Sequence, residues 1–552
     1  MHFWDPCSAF GDQGLGVGPH KHAALLKILA KQIARLRFLP HTVCFWASTR
    51  LRRDGEQTLK LAASCQFALH CQPSTFRRLQ RRPKVLVVAQ YPHPMSERKI
   101  IATHASTILV GQLATMGYSI TDVAVIGHYS VQAQAALSVA GALFIMVYIS
   151  LLASVQGILP VWAELLGAKK LAQLGASVRQ SLYLAGALCV LGIVLLLGAP
   201  ALVLPLMQVP VEMHAAVKQY LLILAVSLPM ALGYRVFATL SQAIGIPHFV
   251  TWLQVAGLAV KVPLTVMLVN GYAGLPELGI AGSAWATLCV QISLIGLAFW
   301  LLNTQTAYQQ LRLWAKMEPI DGQQQREFAR LAIPAGLMAS VEVSSFAIMA
   351  LLIARQGDAV TAAHQIASNF AGISYMFPLS LAIAASARVS YWRGAGHELM
   401  AIRLARACLL FGFGLSLLLA SVMYLLREPL TGLYTNNAVV HATSAALLGW
   451  IALYHIADAT QVISIFLLRS WRITIAPMVL YPVMLWGIGV TGGYLLAYHG
   501  LLGWPAQTGA WPFWAASVAA LAITAVCLLG LLRNKLRSAA LQAHKRPMAA
   551  GV

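Results

Sequence analysis

Apolar residues in this chain come in long unbroken runs, not in the period-two alternation of half-buried strands. Runs of roughly 17–25 predominantly apolar residues are long enough to cross a hydrocarbon core as helices. About twelve occur, near 103–126, 133–157, 181–204, 216–240, 250–270, 280–302, 328–353, 361–388, 404–426, 440–467, 473–497 and 511–532. Polar, turn-forming segments separate them. The pattern predicts an all-α polytopic membrane protein of about 12 transmembrane helices.

The pattern also repeats. Ala135-Ala136-Leu137-Ser138-Val139-Ala140 aligns with Ala362-Ala363-His364-Gln365-Ile366-Ala367 at an offset of 227 residues. Gly167-Ala168 aligns with Gly394-Ala395 at the same offset. Six spans per half is an even number, so both halves enter the membrane with the same orientation. The repeat is therefore parallel, with a pseudo-two-fold axis along the membrane normal. This predicts two six-helix pseudo-symmetric lobes: an N-lobe over 95–310 and a C-lobe over 328–537. A cytoplasmic linker over 311–327 joins them, and 538–552 forms a cytoplasmic tail.

Composition agrees. Of 552 residues, 59% are hydrophobic and 10% charged, against about 45–50% and 25% in soluble domains. Mean hydropathy is +0.70. The net charge of +22 does not call for a nucleic-acid partner, because topology accounts for much of it. From residue 95 onward there are 25 Lys and Arg. With both termini in the cytoplasm, 21 of them fall in cytoplasmic loops or tails; Lys218, Arg355 and Arg427 fall outside and Lys261 within a span. That is the positive-inside asymmetry.

Residues 1–94 carry 14 of the 39 basic residues, six of the 16 His and four of the eight Cys. Their best apolar run, Ala23–Leu39, is broken by Lys27, Lys31, Arg35 and Arg37 and is too charged to span. No cleavable leader pattern is visible. The segment reads as a basic, disordered extension, or as the product of a start assigned upstream of Met95. The cysteines form no C-x-x-C pair, and Cys189, Cys289, Cys408 and Cys527 lie singly in separate spans. They read as small core residues.

A carboxylate near the bilayer centre costs about 2.5–3.5 kcal/mol on insertion scales, so an intramembrane acid is a functional candidate by default. Three stand out: Asp122 in span 1, Glu342 in span 7 and Asp458 in span 10. Tyr454 precedes Asp458 by four residues and shares its helix face, and Gln461 follows three later. Two carboxylates with a phenol and amide oxygens suit Na⁺ at Glu342, Asp458 and Tyr454. Buried together, the acids could instead trade protons. Lys261 in span 5 is the cation read as deep in the N-lobe; one reading pairs it with Asp122, since an unpaired charge there is costly, and the other leaves Asp122 free to titrate. Gln365 and Asn369 share one face of span 8 and are candidate cavity-lining residues, with Tyr118 and Phe346 as aromatic partners for a lipophilic cation. No P-loop, H-E-x-x-H or G-x-S-x-G motif occurs, so neither ATP hydrolysis nor an enzymatic site is indicated and no cofactor is expected. An ion gradient, Na⁺ or H⁺, is the expected energy source.

Several segments together resemble the multidrug and toxic compound extrusion (MATE) family, in its NorM-like bacterial branch. They are Met116-Gly117 with Thr121-Asp122, Gly274-Leu-Pro-Glu-Leu-Gly279, Val341-Glu-Val343, Ala362–Phe370 with Met376-Phe-Pro378, and Tyr454-…-Asp458-…-Gln461-Val462. The likeness covers about 100–535. It implies two V-arranged lobes and export of organic cations or drugs by antiport with Na⁺ or H⁺. It further implies a C-lobe coupling site of Glu342, Asp458 and Tyr454, and Asp122 as the N-lobe acid. Span 5 departs from the family, reading Lys261-Val-Pro263-Leu-Thr265 where Asn-x-Pro-x-Asn is usual. A monomer in the bacterial inner membrane is expected. The alternatives are a lipid-linked oligosaccharide flippase of the same superfamily and, from another class, a membrane enzyme or assembly factor.

Overall fold

The computed structural model describes residues 97–500 and 503–549; the basic extension 1–94 lies outside the described residues. Twelve helices among those described are long and apolar enough to cross a membrane. The first six are α1 (Glu97–Tyr129), α2 (Val131–Gly167), α3 (Leu171–Leu206), α4 (Val211–Ala243), α5 (His248–Asn270) and α6 (Ile280–Thr304). The second six are α7 (Gly322–Ala354), α8 (Asp358–Gly394), α9 (Glu398–Leu425), α10 (Ala438–Ser470), α11 (Ile475–Tyr498) and α12 (Trp511–Ala549). Helix is the expected answer in lipid, where each backbone N–H and C=O needs an internal partner.

The predicted repeat is visible in the helix ends. Val131 and Asp358, Leu171 and Glu398, Val211 and Ala438, and His248 and Ile475 begin equivalent helices at the same 227-residue offset. In the first half α1 packs on α5 and α4 on α3 and α6; in the second α10 packs on α8, α9 and α12. Polar residues set the starts. Asp321 caps α7, its Oδ1 accepting from the Gln323 and Gln324 N–H groups at 2.9 and 3.3 Å. Asn437 caps α10 in the same way at 3.0 and 3.2 Å.

Two local features go beyond the span pattern. The tail predicted over 538–552 is a continuation of α12 as far as Ala549. Helix α11 is not uniform: α-helix to Pro482 is followed by a π-helical stretch, Val483–Gly492. Pro482 lacks a backbone N–H, so the hydrogen-bond ladder is interrupted where the π stretch begins. The linker is strapped to α3. Arg179 pairs with Glu318 and donates to the Arg312 carbonyl at 2.7 Å; Gln180 reaches the Pro319 carbonyl at 2.7 Å.

Contacts between the halves run from mid-helix to one end. Helix α2 with α7 and α8, and α1 with α8, are the main pairs. Ser150 and Ser340 share a hydroxyl contact of 2.6 Å near mid-helix. Beyond it, Arg388 clasps Glu97 at 2.6 Å, and Glu164 accepts from Arg472 at 2.7 Å and faces Arg393 at 3.3 Å. Gly167 lies against the Tyr391 carbonyl, and its repeat mate Gly394 against the Glu164 carbonyl. A Cβ at either position would strike backbone, so these two glycines let the halves meet. At the opposite end the bonds stay within a half: Tyr129 to Glu277 at 2.8 Å, Tyr498 to the Leu352 carbonyl at 2.7 Å, and the Gly509 N–H to Gln356 at 2.6 Å. The lobes thus close at the end rich in Lys and Arg, and no described hydrogen bond or ion pair joins them at the other.

Candidate functional site

In the second half, five helices converge on two carboxylates. Asp458 on α10 is buried, at 3% exposure, and Glu342 on α7 is half-buried. The two lie near enough to act on each other electrostatically, and neither has a cationic partner among the described residues. Gln461, one turn beyond Asp458, donates from Nε2 to Asp458 Oδ1 at 3.1 Å. Its own Oε1 is buried and without a hydrogen-bond partner. Tyr481 on α11, immediately before Pro482, brings a buried hydroxyl up to Glu342 without closing a hydrogen bond of full geometry. Buried polar atoms are nearly always partnered, so unpartnered buried oxygens on Gln461 and Tyr481 beside two carboxylates call for an explanation.

An aromatic wall stands beside the acids. Tyr454 meets Phe346 edge-on at 6.2 Å and Trp514 of α12 at 5.5 Å, while Phe346 and Trp514 are 6.0 Å apart. His364 packs on Trp514 at 5.7 Å and touches Ser368 at 3.3 Å. Such faces can hold a cation by its attraction to the ring quadrupoles.

The first half is organised differently. Lys261 Nζ lies 2.7 Å from Asp122 Oδ1 and donates to Thr287 Oγ1 at 2.6 Å and the Ser283 carbonyl at 3.1 Å. Lys261 is 1% exposed. With the charge neutralised and the ammonium bonded on several sides, this acid is held by protein, unlike those of the second half.

The structure therefore joins Glu342, Asp458, Tyr454, Gln461 and Phe346 in one site, and Asp122 with Lys261 in another. Tyr118 belongs to neither acid pair; its hydroxyl donates to the Gln254 carbonyl at 2.9 Å. On α8, Gln365 is exposed and Asn369 half-buried. No group of three or more His, Cys, Asp or Glu gathers among the described residues, so a cation at the acids would depend on amide and phenol oxygens as well.

Sequence reasoning did not single out Tyr481 or Trp514. It also counted Arg235 with the cytoplasmic loops and left Lys261 as the deep N-lobe cation. Arg235 lies inside α4, bonded to the Leu152 carbonyl at 3.3 Å with Tyr148 and Tyr234 as electrostatic neighbours.

Known proteins resemble this chain in sequence and in fold. A family model described as MatE matches residues 107–267 and again 334–495, once per repeat. A probable multidrug resistance protein NorM of Aromatoleum aromaticum is 33% identical, over 79% of this chain and 93% of its own length. The multidrug resistance protein PmpM of Pseudomonas aeruginosa is 30% identical, over 78% and 90%. Among solved structures, the Vibrio cholerae MATE transporter VcmN in its bent form superposes with a TM-score of 0.68 at 20% identity, covering 81% of this chain and 98% of that one. A eukaryotic MATE transporter gives 0.70 at 18%, covering 82% and 98%. At that identity these structures speak to the fold. The doubled family match and the curated relatives place the sequence itself: the chain belongs to the MatE family, in its NorM-like branch.

Proposed function

We propose that this chain is a multi-pass transporter of the bacterial inner membrane that exports organic cations in exchange for Na⁺ or H⁺. The observation that carries the reading is the pair Glu342–Asp458, one acid half-buried and one buried, without a cationic partner among the described residues and beside an aromatic wall. Relatives named as multidrug resistance proteins support the cargo class.

The basic end, where the lobes close, is taken as cytoplasmic from the excess of Lys and Arg there. The arrangement described is then open to the outside. In this state an ion from outside enters the C-lobe site. As a proton it neutralises a carboxylate; as Na⁺, a hard cation, it takes carboxylate, amide and phenol oxygens, with Gln461 Oε1 and the Tyr454 and Tyr481 hydroxyls at hand. Either ion removes the negative charge that holds an organic cation, so the drug leaves outward. Rocking of the lobes exposes the site to the cytoplasm, where ion release restores the charge and drug rebinds. Each ligand moves the equilibrium only by its different affinity for the two states. Asp122 contributes less to coupling, since Lys261 already neutralises it.

The flippase alternative needs a basic cavity, and Lys261 is engaged by Asp122. The test is ethidium efflux from proteoliposomes with a Na⁺ gradient and a pH gradient imposed separately. Efflux under one gradient names the coupling ion. No efflux under either, with the protein folded, overturns the reading.

A further inference from the structure

Between the start of α1 and the start of α9 lies a groove of about 620 Å³ that plays no part in the acid sites. It spans the two lobes, since α1 belongs to the first and α8 and α9 to the second. Its floor is apolar and buried: Ile101 is 4% exposed, Leu381 2% and Leu404 4%. Its outer lip is apolar but open, with Leu410 75% and Phe411 56% exposed. A slot with an apolar floor and an open apolar lip faces lipid sideways and has the volume of a small-molecule pocket.

Its mouth is basic. Arg98 and Lys99 line it from α1. On α9, Arg403 and Arg406 sit one helical turn before the lining residue Ala407 and the lip residue Leu410, on the same stripes. All four are exposed. None of them has an ion pair among the described residues. The nearby acids are engaged elsewhere: Glu97 by Arg388 at 2.6 Å, Glu398 by Trp471 at 2.7 Å and Arg393 at 3.5 Å. Four uncompensated cations therefore sit on two facing helices at the polar end of an acyl-sized slot.

We propose that this groove binds an anionic phospholipid of the inner leaflet, its acyl chain along Leu404 and Phe411 and its phosphate between Arg98–Lys99 and Arg403–Arg406. Basic pockets between helices at the cytoplasmic face are suited to such headgroups. The site draws on both lobes where they close, so its ligand favours the closed end over the parted one. The cytoplasmic placement rests on the orientation proposed above; the lipid contact itself does not.

The test is native mass spectrometry of the full chain taken from nanodiscs of phosphatidylcholine with phosphatidylglycerol or cardiolipin. The wild type should retain anionic lipid in preference to phosphatidylcholine. Substituting all four cations (R98Q, K99Q, R403Q, R406Q) should cut that retention by about tenfold or more. Ala407→Trp, which fills the slot and keeps the charges, should cut it as well. Thermal unfolding in pure phosphatidylcholine, matching wild type, verifies that each variant is folded. Retention unchanged in either folded variant overturns the proposal. So does displacement of the lipid by inorganic phosphate, which would mark a free-anion site. If a variant misfolds, the wild type's thermal shift on adding phosphatidylglycerol decides: no shift counts against the site.

Discussion

Lys261 Nζ stands 2.7 Å from Asp122 Oδ1, inside the membrane-spanning part of the N-lobe. Removing one partner of a buried pair leaves the other uncompensated and costs about 3–5 kcal/mol. Lys261→Met should lower the thermal unfolding midpoint, and the double variant Lys261→Met with Asp122→Leu should recover most of the loss. In transport, Lys261→Asn should alter the pH response or the substrate range, because Asp122 is then free to titrate. A wild-type pH profile would mean that Lys261 does not govern that acid.

Gly167 and Gly394 each lie against backbone of the other lobe. Gly394→Val should therefore prop the closed end open without touching either acid site. Glu164→Gln should act in the same direction more weakly, since Arg393 and Arg472 lose a shared partner while Glu398 and Glu327 remain. Spin labels on Lys170 and Leu399 should report a longer, broader distance distribution in both. An unchanged distribution in Gly394→Val would refute the closing role of the glycines.

Glu318 lies outside the spans, and its hydrogen bond to Arg179 lowers its carboxyl from the usual value to about 2. A depressed acid stabilises the fold above its unfolded value, and the contribution is lost as pH falls through the folded one. The linker strap should therefore hold at pH 4 and loosen near pH 2. Pepsin digestion checks this: wild type should be nicked within 305–321 much faster at the lower pH, and Glu318→Gln at nearly equal rates at both. Equal wild-type rates would contradict the assignment.

Much of this was legible in the sequence, for a physical reason. Lipid forces spans to be helical and apolar, so hydropathy alone gives twelve spans, and the repeat follows from segments such as Ala135–Ala140 and Ala362–Ala367. The same rule made Asp122, Glu342, Asp458 and Lys261 conspicuous, since a charge in an apolar run is costly. Tyr481 and Trp514 were invisible because an aromatic residue in a span has the same signature whether it packs or lines a site. The π-helical stretch after Pro482 depends on tertiary packing that residue spacing does not encode. Arg235 was counted with the cytoplasmic loops although it lies inside α4, more than two turns before its end at Ala243.

The central claim is that an organic cation and the coupling ion compete for one negatively charged site at Glu342 and Asp458. Equilibrium binding of radiolabelled tetraphenylphosphonium to detergent-purified protein tests it directly, titrated with Na⁺ at fixed pH and with protons at fixed Na⁺. Wild type should lose the probe as one of these ions rises, and Asp458→Asn should bind it more weakly with a flattened ion dependence. Binding that ignores both ions, or an Asp458→Asn protein displaced as readily as wild type, would contradict the account.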